Sequence, residues 1–396
     1  SSDLAGRSLI CDVVCMGPPV SRLKNSASKG ASGNRILSDQ TTDHPRLQSP
    51  QRLPQTPCAG PDGLTGHGPT PLIAQRQQKA RQMTDFPLLD LSAFHAADPE
   101  GRAAIGAEVD RICRETGFLA VTGHGVPQEV IDALWTQARS FFAQSPDEKH
   151  AVAPVSGGPY GYLGPGTEAL AKSRGEDTPP DLKESFNGGP AAIPEGETDP
   201  DALAFCYAPT PFPTLSGFKE AWRSYYAEMK ALAARIMEVF AVALNLPQDH
   251  FAPFISTPIS GMRALNYPAQ DSTPEENQLR AGAHTDYGSL TILLPEPGSR
   301  GLEILTPEGD WKGVPPIDGA FVINIGDLMA LWTGGRWTST LHRVVTPPDW
   351  ATKRRMSIAY FHQPNWHAEV KPLAGEATQS VISGPYLMQK FAAANG

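Results

Sequence analysis

Residues 259–362 read as a succession of short apolar segments of strand length, separated by turns rich in proline and glycine. Segments 289–294, 339–345 and 355–361 are of this kind. A series of short strands with regular turn signals builds a sandwich or a barrel. Upstream the period changes. Ala104, Ile105, Val109 and Ile112 have helical spacing, as do Val130, Ile131, Leu134, Ala138 and Phe141 behind Pro127. Residues 118–122 read as a strand, 156–190 as a Gly/Pro-rich loop that could serve as a lid, and 216–246 as a long amphipathic helix closed by Pro247. Residues 384–394 read as a short closing helix. The class expected from these patterns is a β core with helices around it, α+β overall. Trp222, Tyr225, Tyr226, Met229 and Phe240 are expected to be packing residues of the long helix.

The chain has 396 residues, enough for a large core and one or two domains. A net charge of -9 argues against nucleic acid as the main partner, and no apolar run approaches the roughly 20 residues of a spanning helix. Neither a membrane nor an obligate protein partner is expected. Five cysteines form no zinc-type framework, and only Cys113 and Cys206 fall in the part expected to fold. Free thiols in a reducing compartment, the cytoplasm, fit that usage. Residues 1–82 differ: ten Lys/Arg against five Asp/Glu, abundant Pro, Ser, Gln and Gly, and scarcely an aromatic residue. Such a segment cannot offset its ordering entropy and is expected to be a disordered extension or leader, with organelle import the minor reading. The rest divides into an N-terminal helical and strand region, 83–210, and the long helix with a β core, 211–396.

Within the β region, His284-Thr285-Asp286 is followed by His342 on a second strand-like segment and by Arg355-Met356-Ser357 on a third. Side chains at i and i+2 of a strand share a face. His284 and Asp286 can therefore grip one metal while Thr285 faces away, and His342 would complete two imidazoles and one carboxylate. That triad leaves about three of six octahedral positions open. The same phase joins Arg355 to Ser357, a guanidinium fork and a hydroxyl suited to a carboxylate, and puts Arg354 on the other face. His124, His150, His362 and His367 lack a partner in a matching frame and are read as structural. Lys183 and Glu184 read as a surface ion pair.

These residues, with their surroundings, resemble the isopenicillin N synthase-like branch of the Fe(II)/2-oxoglutarate-dependent oxygenases. The resemblance runs from about Phe86 to the C-terminus. It is carried by Pro87-Leu-Leu-Asp-Leu91, Gly117-Phe118 with His124-Gly-Val126, Asp181-Leu-Lys-Glu-Ser-Phe186, Arg263 to Tyr267-Pro268, Ile323-Asn-Ile-Gly-Asp327 and Trp332-Thr-Gly-Gly-Arg336, in that order. It implies a double-stranded β-helix, or jelly roll, with an N-terminal helical layer. It implies Fe(II) on His284, Asp286 and His342, and 2-oxoglutarate with its far carboxylate on Arg355 and Ser357 and a hydrogen bond from Tyr267. O2 would then be spent with 2-oxoglutarate, giving succinate and CO2, to hydroxylate, desaturate or cyclise a small organic molecule. Phe361, Tyr287, Tyr162 and Phe186 are the aromatic candidates for substrate contact. Two alternatives stay open: an Fe(II) oxidase that uses no 2-oxoglutarate and places its substrate's carboxylate on Arg355 and Ser357, and a non-catalytic metal-dependent jelly-roll binding protein.

Overall fold

The computed structural model describes residues 86–155, 158–176, 178–269, 274–347, 353–373 and 379–395. The extension 1–82 lies outside the described residues. Among the described residues, fourteen strands form in chain order: β1 (Leu88–Asp90), β2 (Phe118–Thr122), β3 (Gly161–Leu163), β4 (Glu184–Gly188), β5 (Gly261–Tyr267), β6 (Ala281–His284), β7 (Leu290–Pro295), β8 (Leu302–Leu305), β9 (Trp311–Gly313), β10 (Phe321–Ile325), β11 (His342–Val344), β12 (Arg355–His362), β13 (Glu369–Val370) and β14 (Val381–Ile382). An eight-stranded sheet has the order β1-β2-β10-β7-β12-β5-β4-β3, a four-stranded sheet the order β6-β11-β8-β9, and β13 pairs with β14. Among the pairings of these strands in the large sheet, only β1–β2 is parallel.

The two faces of the large sheet bury different things. One face, with Leu119, Val121, Met262, Ala264, Ile292, Ile323, Ile358 and Tyr360, packs under the helices Pro99–Glu115, Gln128–Phe142 and Phe218–Ala243. The other, with Ala120, Leu265, Tyr267, Val322 and Ala359, packs against Ala281, Leu302, Ile304 and Val344 of the small sheet. Helices, large sheet and small sheet therefore form three layers, and the two sheets make the jelly-roll core expected from the resemblance. Alternate residues of β5 and β12 belong to opposite cores because strand side chains alternate. The 26-residue helix Phe218–Ala243 presents Trp222, Tyr225, Tyr226, Met229 and Phe240 to the first core, all buried, as its spacing predicts.

The region 156–190 is not simply a loop. Among its described residues it contains β3, β4 and a 3-10 turn at Leu170–Arg174, and β4 extends the large sheet beside β5. Glycine hid the strand from a sequence reading, yet Gly188 is a packing residue: a Cβ there would lie 2.7 Å from the Trp222 indole nitrogen. Glycine lets the long helix sit against the strand.

Asp110, buried in the helix Pro99–Glu115, fastens the segment that leads into β11. Its Oδ1 accepts from Arg336 Nε and Trp337 Nε1, both at 2.9 Å, and its Oδ2 accepts from Arg114 Nε at 3.0 Å. Burial works to raise its pKa, but the hydrogen bonds of Arg336 and Trp337 and the arginine charges outweigh it and leave the carboxyl below its ordinary value. Asp110→Ala is expected to cost about 1–3 kcal/mol in urea unfolding at neutral pH, since it strands the buried Trp337 indole N–H. Because the native carboxyl is the stronger acid, its contribution is present above the unfolded-state pKa and fades as pH falls through the native one. The gap between wild type and variant should shrink on acidification; a gap that stays constant would refute the role of the charge.

Candidate active site

His284 ends β6 and His342 opens β11, and the two are direct cross-strand partners with ring centroids 4.3 Å apart. Asp286 lies two residues beyond the end of β6, outside the ladder, so strand phase alone does not set its direction. Its side chain is aimed by hydrogen bonds instead. Asp286 Oδ2 accepts from Thr291 Oγ1 at 2.5 Å and Asn324 Nδ2 at 2.8 Å. Its Oδ1 faces both imidazoles, 3.9 Å from each Nε2. The three ligand atoms lie within 4.8 Å of one another, and this is the one such group among the described residues.

Both imidazoles present Nε2 for the same reason. His284 Nδ1 lies 2.7 Å from the Gly282 carbonyl and His342 Nδ1 3.1 Å from the Thr340 carbonyl. A carbonyl only accepts, so each Nδ1 carries the proton and each Nε2 keeps its lone pair. Burial and the neighbouring His342 push His284 well below the usual histidine range, which keeps its ring neutral, as a metal ligand requires. Burial opposes the Asp286 charge, but the two imidazoles and the donors Thr291 and Asn324 hold its carboxyl below its ordinary value. Two imidazole nitrogens and one carboxylate oxygen, each backed by its own hydrogen bond, fit a divalent transition metal.

The Ile323-Asn-Ile-Gly-Asp327 segment serves this centre. Asn324 holds the carboxylate. The Asp327 amide donates to the Asp286 carbonyl at 2.8 Å, and Asp327 Oδ2 accepts from Thr285 Oγ1. Gly326 permits the approach, since a Cβ there would lie 2.2 Å from the Gly288 carbonyl oxygen. Sequence reasoning gave Asn324 no role of its own; a polar residue at the middle of a central strand is the signal that could have found it. Thr291 had no comparable signal.

Strand β12 brings Arg355, Ser357, Ala359 and Phe361 to the face shared with the small sheet, opposite Tyr267, Leu265, Arg263 and Gly261 of β5. Arg355 is 2% exposed. Its Nη1 donates to Ser357 Oγ at 3.3 Å and its guanidinium lies 4.9 Å from the Tyr267 ring. Its Nε is buried with no hydrogen-bond partner among the described residues. A buried cation with an idle donor beside a hydroxyl and an aromatic ring fits an incoming carboxylate. Arg354 points away, toward Glu296 and the Met356 sulfur.

The aromatic candidates separate. Phe361 is paired with Thr291, the residue that holds Asp286, and packs in the core between the sheets. Tyr287 packs against Phe391 and Lys390 of the C-terminal helix Ser383–Asn395. Tyr162 and Phe186 do not reach the site. They lie in the core under the helices, Phe186 against Phe141, Phe218 and Trp222. The Tyr162 hydroxyl is committed to Glu184 at 2.5 Å. Their place in β3 and β4 puts them on the wrong face. The expected Lys183–Glu184 pair is also absent, because adjacent residues point to opposite sides. Glu184 pairs with Lys149 toward the helices, while buried Lys183 meets Asp181 at 2.5 Å and Glu168 at 3.5 Å. His124, His150, His362 and His367 engage carbonyls, Ser289 and Glu197, and none joins the metal group.

Residues 259–364 match the model of the 2OG-Fe(II) oxygenase superfamily, and residues 86–214 match that of the N-terminal region of the non-haem dioxygenases in morphine synthesis. The chain is 34% identical to validamycin A dioxygenase of Streptomyces hygroscopicus subsp. limoneus, over 77% of this chain and 85% of that protein. It is 32% identical to the 2-oxoglutarate-dependent dioxygenase tropC of Talaromyces stipitatus, over 78% and 94% respectively. Among solved structures, a Neurospora crassa protein in complex with alpha-KG and thymine superposes with a TM-score of 0.68 at 29% identity, covering 78% of this chain and 96% of that one.

Replacing Asn324 by Leu removes one of the two donors to Asp286 Oδ2 while keeping the side chain's volume. Mn(II) affinity, measured by calorimetry, is expected to fall about 10–100-fold. Wild-type affinity in that variant would show that Asn324 does not set the carboxylate.

Proposed function

Because the chain belongs to the 2OG-Fe(II) oxygenase superfamily, we propose that His284, Asp286 and His342 hold Fe(II) and that Arg355, Ser357 and Tyr267 hold the far carboxylate of 2-oxoglutarate. The protein is a 2-oxoglutarate-dependent dioxygenase that oxidises a small organic molecule. Bound Fe(II) supplies the redox chemistry through which O2 and 2-oxoglutarate are consumed, with succinate and CO2 released. The observation that carries the residue assignment is the pairing of the centre with its anchor. Three ligand atoms converge within 4.8 Å, and the buried Arg355 keeps an idle Nε on the neighbouring sheet face.

The chain's own groups orient and exclude. Gly282 and Thr340 fix the imidazole tautomers, and Thr291 and Asn324 leave one carboxylate oxygen for the metal. Arg355 engages a carboxylate by charge and shape together, where lysine would offer charge alone. Leu265 and Ala359, buried on the inner face beside Ser357, give that face apolar surface that disfavours water. Phe361, one pair from Asp286's support, is assigned to the substrate side. The order of motifs from Phe86 to Ser357 supports the isopenicillin N synthase-like branch. Buried, unpaired Cys113 and Cys206 support a cytoplasmic setting, and no described helix is long and apolar enough to cross a membrane.

Anaerobic addition of Fe(II) and 2-oxoglutarate is expected to give a visible charge-transfer band, and Arg355→Ala to weaken 2-oxoglutarate binding about 100-fold or more. His284→Ala should abolish the band and succinate release together. Retained succinate release in the His284→Ala, Asp286→Ala double variant would refute the metal assignment.

A further inference from the structure

The segment Asp181-Leu-Lys-Glu-Ser-Phe186 carries part of the family resemblance, yet it supplies no member of the metal group, and only its last three residues belong to β4. Its first residues lie against β6, the strand that ends in His284. Among the described strands β6 pairs with β11 alone, so it is an edge of the small sheet. Its register also slips. His284 faces His342 and Ala281 faces Val344, which leaves Gly282 and Ala283 together opposite Arg343. A bulge of this kind re-aims a side chain and disrupts the ladder where it occurs. The backbone just before His284 is therefore not set by its own sheet.

Asp181 and Leu182 supply what the ladder lacks. Asp181 Oδ1 accepts from the Gly282 amide at 2.9 Å, and the Leu182 amide donates to the Leu279 carbonyl at 3.0 Å. One bond within β6 and one just ahead of it hold this edge as a neighbouring strand would. The Gly282 carbonyl in turn accepts from His284 Nδ1 at 2.7 Å, so a displacement of Gly282 turns the imidazole. Glycine is required for the approach. A Cβ on Gly282 would lie 2.9 Å from the Ala171 amide nitrogen and 3.1 Å from the Ala171 Cβ.

The chemistry of Asp181 fits this task. Its side chain is 2% exposed and meets three donors: the Gly282 amide, the Leu170 amide and the Lys183 ammonium. A carboxylate only accepts and satisfies all three, whereas an asparagine would turn an NH2 group toward at least one of them. Lys183, 1% exposed, balances the charge. A buried pair of this kind is a poor way to gain stability, since apolar residues of similar size would pack at less cost. What distinguishes the pair is its place, two hydrogen bonds from a metal ligand through the backbone of Gly282.

Resting on the reading of His284 as a metal ligand, we infer that Asp181 is a positioning residue for the metal centre. It fixes Gly282, Gly282 fixes the His284 ring, and Lys183 balances the buried charge that this takes. The mid-chain motif then belongs to the centre although it contributes no ligand.

The test reads Asp181→Asn in the full chain in two ways. Nitrogen NMR of the metal-free, histidine-labelled protein is expected to show wild-type His284 protonated at Nδ1 alone and the variant as a mixture with the Nε2-protonated form. Mn(II) affinity by calorimetry should fall about tenfold or more in the variant, while 2-oxoglutarate affinity at saturating Mn(II) is retained. A variant that loses thermal stability alone, with Mn(II) affinity and tautomer unchanged, overturns the proposal, because Asp181 would then serve packing only. Asp181→Glu keeps the charge but is one methylene longer. It should show the same two changes, and it stands in for Asp181→Asn should that variant not fold. The wild type decides without any variant as well: His284 protonated at Nε2, or a Gly282 amide that exchanges with solvent as fast as an exposed one, overturns the proposal. Failure of the active-site reading itself would appear separately, as a wild type that binds no Mn(II).

Discussion

The division of labour between the two oxygens of Asp286 is the constraint on which the centre depends. One oxygen is held by Thr291 of β7 and Asn324 of β10, both in the large sheet. The other faces His284 and His342 of the small sheet. A buried carboxylate with no donors would take up a proton rather than keep its charge. Two donors on one oxygen keep the group ionised and aim the second oxygen at the imidazoles. The contact also joins the two sheets, so the geometry of the triad and the packing of the jelly roll are one problem.

The inner face of β5 and β12 is organised by a second economy, that of buried positive charge. Arg355 and Arg263 sit four residues of strand apart on a face shared with Ser357, Tyr267, Leu265, Ala359 and Phe361. A second fully buried guanidinium beside Arg355, that of Arg280, bonds to the Lys353 carbonyl and has its pKa lowered, first by burial and then by Arg355. Such a concentration of cations is expensive in the free protein and is offset when anions arrive. Arg280 had no place in a reading of motifs, although it precedes His284 by only four residues.

Much of this was legible from strand phase. Arg355 with Ser357, and Arg263 with Tyr267, share a face because side chains alternate, and the register bears that out. The long helix and its packing aromatics followed from spacing. The misread residues share one cause. Tyr162, Phe186, Lys183 and Glu184 belong to a Gly/Pro-rich stretch whose composition hides strands β3 and β4. Without a strand there is no phase, and without a phase no side chain can be given a face.

By itself the sequence determined which chemical groups are present, their order, and the alternation that sorts most of them onto faces. That was enough to pick out two imidazoles and a carboxylate as a group and to phase the arginine fork, since a period of two is a local property of a strand. Only the tertiary structure decided what aims them. Asp286 lies beyond the end of β6 and takes its direction from Thr291 and Asn324, five and 38 residues away. Glu168 reaches Arg263 across 95 residues. Contacts of that range depend on how two sheets pack, which no local pattern encodes.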